Sequence, residues 1–296
     1  MLLLIKFLIY HSETVELATF AGVLFLCWNI ENLAAVTLNY KKWKHAFINA
    51  GFILTNLPIG LLFSILFAKC MQWTMHHHFG LIYSFHPFVH PVFSFMGSFM
   101  LLDLGEYVYH VLMHKNKRLW SFHIVHHSDR IVDISTMLRE HPGENFIRLA
   151  FTLLWIFLTG TLFWVLIIRQ IIQIFSTSLA HMNYTLPENV DRLFGWVFIT
   201  PSLHQVHHHY QTPYTDSNYG DVLSIWDRLF GTFKRMPPEE GVIFGVDSYM
   251  KDNEEENNFK SVFKIPFVPF RKRNQLTQSD EVVGRNIFYE SNELIS

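Results

Sequence analysis

Charged side chains are scarce in this chain of 296 residues: they make up 16% of it, where an average soluble domain carries about 25%. Half of the residues are hydrophobic and mean hydropathy is positive, which excludes an ordinary soluble surface and points to a membrane protein. The formal net charge is −2 and no basic stripe stands out, which argues against nucleic acid as a partner. Cysteine is rarer still. Cys27 and Cys70 are the only two, and neither belongs to a Cys-x-x-Cys, so disulfide frameworks and thiolate metal sites are excluded and both are expected as free thiols in the interior. The HExxH motif of zinc hydrolases is missing as well. Met1 to Tyr10 is apolar, but Lys6 interrupts it and no small-residue cleavage site follows, so it reads as a lead-in to a first membrane span.

Long apolar runs are what the chain does have. Glu16 to Asn39 fits one span, with Glu31 as its awkward charge and Lys41, Lys42 and Lys44 just beyond it. Ala46 to Ala68 fits a second, interrupted at Pro58 and Gly60, and Phe85 to Leu102 a third. Each approaches the ~20 residues needed to cross a hydrocarbon core of ~30 Å. Lysine and arginine at the span ends run basic, poor, basic, which places Lys41 to Lys44 and residues 103–127 on the cytoplasmic side. Phe146 to Ser178 is too long for one span and too short for two, and Gly160 near its centre predicts a helical hairpin that returns to the same side. The expected organisation is therefore transmembrane helices over 1–95, a domain over 96–235 with a membrane hairpin at about 146–180, and a polar tail over 236–296. The fold class expected is an all-α, multi-pass membrane bundle of three spans plus the hairpin, under a cytoplasmic helical cap.

Histidine is abundant, with 18 in the chain, and its spacing carries the chemistry. Asp103, Tyr107, His110 and His114 recur at steps of four, three and four, which puts them on one helical face. His123, His126 and His127 follow as HxxHH, and His204, His207 and His208 repeat that pattern some eighty residues later. An isolated pair of histidines at this spacing is commonplace on a helix. Eight of them beside span ends on one side are different, because neutral imidazoles packed together leave lone pairs facing one another unless a cation sits among them. More donors than one mononuclear site uses imply two metals. His181, at the end of the hairpin, is a further donor candidate, and Arg139, His141, Glu144 and Asn183 are candidates for orienting the ligands. His209 points away from the third cluster and is left out. His76 to His78, His86 and His90 fall at the opposite membrane face and read as interfacial residues.

Imidazole suits iron, zinc, copper and nickel alike, so spacing does not choose the metal. A hydrolase would want an open zinc with a carboxylate base, whereas an all-histidine dinuclear site beside apolar spans suits oxidation of a lipid C–H bond by metal-activated O2. A histidine-rich metal transporter is the alternative, but transporters place their ionisable ligands within the spans. A metal-stabilised lipid-binding protein without turnover is another.

The combination of motifs resembles the fatty-acid hydroxylase and sterol desaturase superfamily of integral-membrane histidine-box enzymes. Asp103 with Tyr107, His110 and His114 resembles its first box, His123 with His126 and His127 its second, and Pro201 with His204, His207 and His208 its third. Ser135 to Pro142, His181 with Asn183, Asn218 to Gly220 and Trp226 to Thr232 resemble the family's intervening pattern, so the likeness covers about residues 95 to 235. It implies nine ligands (His110, His114, His123, His126, His127, His181, His204, His207, His208) to two Fe ions, which zinc can replace in a purified sample. The substrates implied are O2 and a lipid, whether fatty acyl, ether lipid or sterol. Electrons are expected from a separate reductase, ferredoxin or cytochrome, or from a reduced pterin. Where many relatives have arginine after the first-box histidine, Val111 stands here.

Overall fold

The computed structural model describes residue 7 and residues 10–34, 40–85, 91–237, 240–246 and 258–268. Among these, the regular elements are helical, and two isolated β-bridges, Phe198 with Leu223 and His209 with Phe244, stand in place of a sheet. Helix α1 (Ser12–Ala34) exposes Leu17, Phe25 and Leu33, as a helix surrounded by lipid can. Glu31, near its end, is buried. One carboxylate oxygen meets Lys42 Nζ at 2.9 Å, and the other accepts the amides of Ile134 and Asn183, each at 2.8 Å. The charge that is awkward for a span therefore ties α1 to three later segments.

Helix α2 (Lys42–His77) is continuous over 36 residues, about 54 Å at 1.5 Å per residue. The interruption expected at Pro58 does not occur. Proline deletes one amide donor from the ladder, and close packing against a neighbouring helix over this length supports the turns on either side. After the short α3 (Leu81–Phe85) comes α4 (Pro91–Lys115), which joins the third apolar run and the first two histidines in a single helix. Among the described residues, the helices long and apolar enough to cross a membrane are Ser12–Leu33, Lys42–Ser84 and Phe163–His181, the last an arm of the hairpin; residues 86–90 of the expected third span lie outside the described residues. The carboxylates of Asp103 and Glu106 dilute the apolar character of α4. The chain is an integral membrane protein of helical architecture. His86, His90, Arg271 to Arg273 and most of the acidic run Asp252 to Asn258 lie outside the described residues.

Helix α5 (Lys117–His127) folds back on α4, its start capped by the Asn116 side chain, which accepts the amides of Arg118 and Leu119. A 3-10 turn (Ile134–Leu138) leads to the hairpin of α6 (Pro142–Thr159) and α7 (Phe163–His181). The reversal falls on Gly160, at φ 68°, where a Cβ would lie 2.5 Å from the Phe79 carbonyl oxygen, so glycine serves both the backbone conformation and the close approach. One apolar core joins Phe63, Phe67 and Met71 of α2 to Leu102, Ile156 and Val165 of the three helices around it. A second fastens Tyr219, Val222, Leu223 and Trp226 to Tyr107. Short helices α8 (Glu188–Phe194), α9 (Pro201–His207), α10 (Ile225–Leu229) and α11 (Phe259–Lys264) complete the order.

Candidate metal centre

Four elements bring nine histidines together: α4 supplies His110 and His114, α5 supplies His123, His126 and His127, α7 ends on His181, and α9 with its C-cap supplies His204, His207 and His208. They sort into two groups. In one, His110, His114, His123, His127 and His207 each offer a nitrogen, all within 4.8 Å of one another; in the other, His126, His181, His204 and His208 do the same. The HxxHH clusters thus do not act as single faces. In each of them the middle histidine parts from the other two: His126 leaves His123 and His127, and His207 leaves His204 and His208. The two groups touch where the rings of His127 and His208 stack at 4.5 Å.

The tautomers show why something cationic belongs here. The Nδ1 atoms of His110, His181 and His207 lie 2.9, 2.8 and 2.7 Å from the carbonyl oxygens of Tyr219, Thr177 and Ser217. A carbonyl only accepts, so each Nδ1 carries the proton and each Nε2 presents a lone pair. Yet His181 Nε2 sits 3.1 Å from His126 Nε2 and 3.0 Å from His204 Nε2, and His110 Nε2 sits 3.2 Å from His123 Nε2. Nε2 of His114, His127 and His207 is buried with no hydrogen-bond partner. Burial, and after it the neighbouring imidazoles, hold His126, His127, His204 and His208 well below the ordinary histidine range, so protonation does not relieve the crowding. Converging lone pairs of neutral imidazoles are the donor set of a metal, and two sets fit two ions.

Around the rings, Glu144 Oε1 meets His123 Nδ1 at 2.6 Å, and Asp216 lies 3.4 Å from His114 Nδ1. Burial pushes the Glu144 carboxyl up to about 7, against the pull of Arg148. Replacing Glu144 by alanine is expected to lower metal affinity ~10- to 100-fold by freeing the His123 ring; competition with a chelating dye measures it. The other residues expected to orient ligands act at longer range. Asp103 accepts the amides of Val222 and Leu223 and the Trp226 indole N–H, and Tyr107 bonds the Thr232 hydroxyl, so together they hold the segment whose Tyr219 carbonyl orients His110. Arg139 donates to the Val125 carbonyl and the Ser128 hydroxyl at the end of α5. His141 caps α6 by accepting the Gly143 amide and belongs to neither histidine group. Asn183 presents its amide to Glu31. His209 accepts the Ile243 amide and stands outside both groups.

Sequence reasoning missed Asp216, the carbonyls of Thr177, Ser217 and Tyr219, and a set of charged residues around a cavity that opens onto the histidines: Glu106, Glu140, Arg148 and Asp221. Arg169 stands behind them. Backbone carbonyls leave no signal in side-chain identity, but Glu106 and Arg169, ionisable residues in apolar helices, carry one.

Residues 95–232 match the fatty acid hydroxylase family. The chain is 33% identical over 156 residues to the alkylglycerol monooxygenase of Xenopus tropicalis, covering 50% of this chain and 32% of that one. It is 29% identical over 201 residues to the human protein of the same name, covering 67% of this chain and 42% of that one. With the ornithine lipid hydroxylase of Rhizobium tropici it shares 27% identity over 208 residues, 70% of this chain and 61% of that one. The chain thus spans less than two thirds of the length of each. No solved structure matches.

Proposed function

We propose that this chain, whose residues 95–232 match the fatty acid hydroxylase family, is a membrane lipid mono-oxygenase whose nine histidines hold two iron ions on the cytoplasmic face. The single observation that carries this reading is the pair of histidine groups with their lone pairs turned inward. His110, His114, His123, His127 and His207 would hold one ion, and His126, His181, His204 and His208 the other. Bound iron supplies the reduction of O2 and the cleavage of an unactivated C–H bond, which no side chain performs. In the overall reaction one oxygen atom enters the C–H bond and the other leaves as water, with two electrons and two protons drawn from a separate electron-donor protein or a reduced pterin.

The chain's own residues have defined parts in this. Carbonyls of Thr177, Ser217 and Tyr219 fix the tautomers so that Nε2 faces the ion. Glu144 accepts from His123 and holds that ring in place. The cavity lined by His110, His123, His126, His181 and His204 leaves one side of both groups open to substrate. Purified, iron-loaded protein given a reductant, membrane lipid and isotopically heavy O2 is expected to yield a lipid carrying one heavy oxygen atom. Failure of every lipid class to take up label, with two irons bound, sinks the proposal.

A further inference from the structure

Between the end of α7 and the third histidine cluster the chain leaves an apolar surface uncovered. Leu193, Phe194, Trp196 and Phe198 are exposed, Leu193 at 70% and Trp196 at 64%, and so are Leu229 and Phe230. Arg228 joins the two stretches: its guanidinium lies 4.3 Å from the Trp196 ring and donates to the Gly195 carbonyl at 2.9 Å. The backbone pairs them as well. Phe198 bridges Leu223, the Ser224 amide donates to the Val197 carbonyl at 2.9 Å, and the Ser224 hydroxyl donates to the Gly195 carbonyl at 2.8 Å. Large apolar side chains held outward as a group mark a contact surface.

The level of this surface along the bundle says what it meets. Asp221 pairs with Arg169 of α7 at 2.6 Å, and Arg169 lies about 18 Å short of His181 along that helix at 1.5 Å per residue. On α4 the partners also precede the histidines: the Trp226 indole N–H donates to Asp103 at 2.8 Å, and the Phe230 ring stacks on Tyr107 at 5.3 Å. The stretch that carries Leu229 and Phe230 is thus fastened on the membrane side of His110 and His181. Helix α7 is long and apolar enough to cross a membrane, and it exposes Phe175 and Leu179 toward this end. Outward leucine, phenylalanine and tryptophan at that level, with arginine among them, have the composition of a membrane interface. Arg228 forms no ion pair among the described residues, and its Nε has no hydrogen-bond partner. A second copy seated here would bury that unpaired guanidinium in an apolar seam, whereas a leaflet offers it phosphate.

We propose that residues 193–198 and 229–230 are seated in the bilayer, a membrane contact additional to the spanning helices, with Leu193, Trp196 and Leu229 among the acyl chains and Arg228 at the level of the phosphates. The contact also fixes where the cavity opens. Gly220 and Asp221 line the cavity, and the carbonyl of Val222, next in the chain, accepts the Ile199 amide at 2.9 Å, so the cavity wall is tied to the seated surface. Lipid then enters laterally from the leaflet. That entry rests on the lipid mono-oxygenase reading; the contact itself stands without it.

Nitroxide side chains read the contact directly. The zinc-loaded chain carrying Cys27→Ala and Cys70→Ala is placed singly in nanodiscs of phosphatidylcholine and phosphatidylglycerol, with one labelled cysteine from Leu193→Cys or Leu229→Cys. Lys117→Cys, exposed at the start of α5, supplies the aqueous reference, and Leu61→Cys, 67% exposed on α2, the lipid reference. Collisions with O2, which concentrates in lipid, are compared with collisions with a water-soluble nickel chelate. Both labels are expected at ~5–10 Å below the phosphates, between the two references. Both positions are exposed, so labelled proteins are expected to melt with the unlabelled one, and either position serves if the other does not fold. Chelate collisions at the level of Lys117→Cys put the surface in water. Low collisions with both reagents put it under another segment of this chain or, where they arise only in densely loaded liposomes, under a second copy. Each of these results overturns the inference. Since no turnover is read, a protein that seats these residues but oxidises no lipid removes the mono-oxygenase alone.

Discussion

Alanine at His126 is expected to reduce the iron or zinc content of the purified protein from two ions per chain to about one and to abolish product formation, a loss of at least ~100-fold. His126 belongs to the smaller group, where its removal leaves three imidazoles, those of His181, His204 and His208. His127, its neighbour in sequence, belongs to the larger group and leaves four behind. The His127→Ala protein is therefore expected to retain more metal than the His126→Ala protein, although the two positions are adjacent in the chain. Elemental analysis of both, with product measured on the same preparations, makes the comparison. Equal metal loss at the two positions would contradict the division into groups of five and four.

Substitution of Arg139 gives the largest expected effect on stability. Its side chain is 1% exposed and donates to the Val125 carbonyl and the Ser128 hydroxyl, with Asp129 at 3.9 Å. Those contacts hold the end of α5, which carries His126 and His127. Asp129 also meets His45 of α2 at 2.8 Å, and burial, which works against its charge, is overcome by His45 and Arg139, so the carboxyl stays well below the ordinary range. Arg139→Ala leaves a buried carboxylate short of a cation and a carbonyl short of a donor, at a cost of about 3–5 kcal/mol. Thermal unfolding of the zinc-loaded protein in detergent measures this. Arg139→Lys keeps the charge but not the planar fork, so it is expected to recover only part of the loss. A melting curve for Arg139→Ala superimposable on that of the unaltered protein would show that the end of α5 is held by other contacts.

Much of the architecture is legible in residue order because it follows from local rules. Gly160 turns the hairpin, and three histidine clusters repeat at helical spacing. Other expectations met effects that local rules do not contain. Pro58 breaks a helix in isolation, but α2 runs through it because neighbouring helices and an apolar surround sustain the rest of the ladder. Glu31 reads as a misplaced charge until Lys42, Ile134 and Asn183 are seen around it. His141 sits in a sequence that invites a role near the histidine groups, and the backbone uses its ring as a helix cap.

The histidine stretch shows where the division lies. Composition and periodicity by themselves determine that the chain is a helical membrane protein, and that three clusters of imidazoles recur beside its spans, since both depend only on residue type and spacing. Which histidine faces which neighbour was decided by the tertiary structure. A helix of 3.6 residues per turn sends i and i+4 nearly the same way and i+3 to the other side of that line, and whether this small angle matters depends on what lies opposite. Here α4 lies opposite His123 and His127, while the end of α7 lies opposite His126, so adjacent residues are drawn into different groups. The charged cavity has the same origin: Glu106, the pair Glu140 and Arg148, and Asp221 come from three separate stretches of chain, and only their packing puts them around one space that opens onto the histidines.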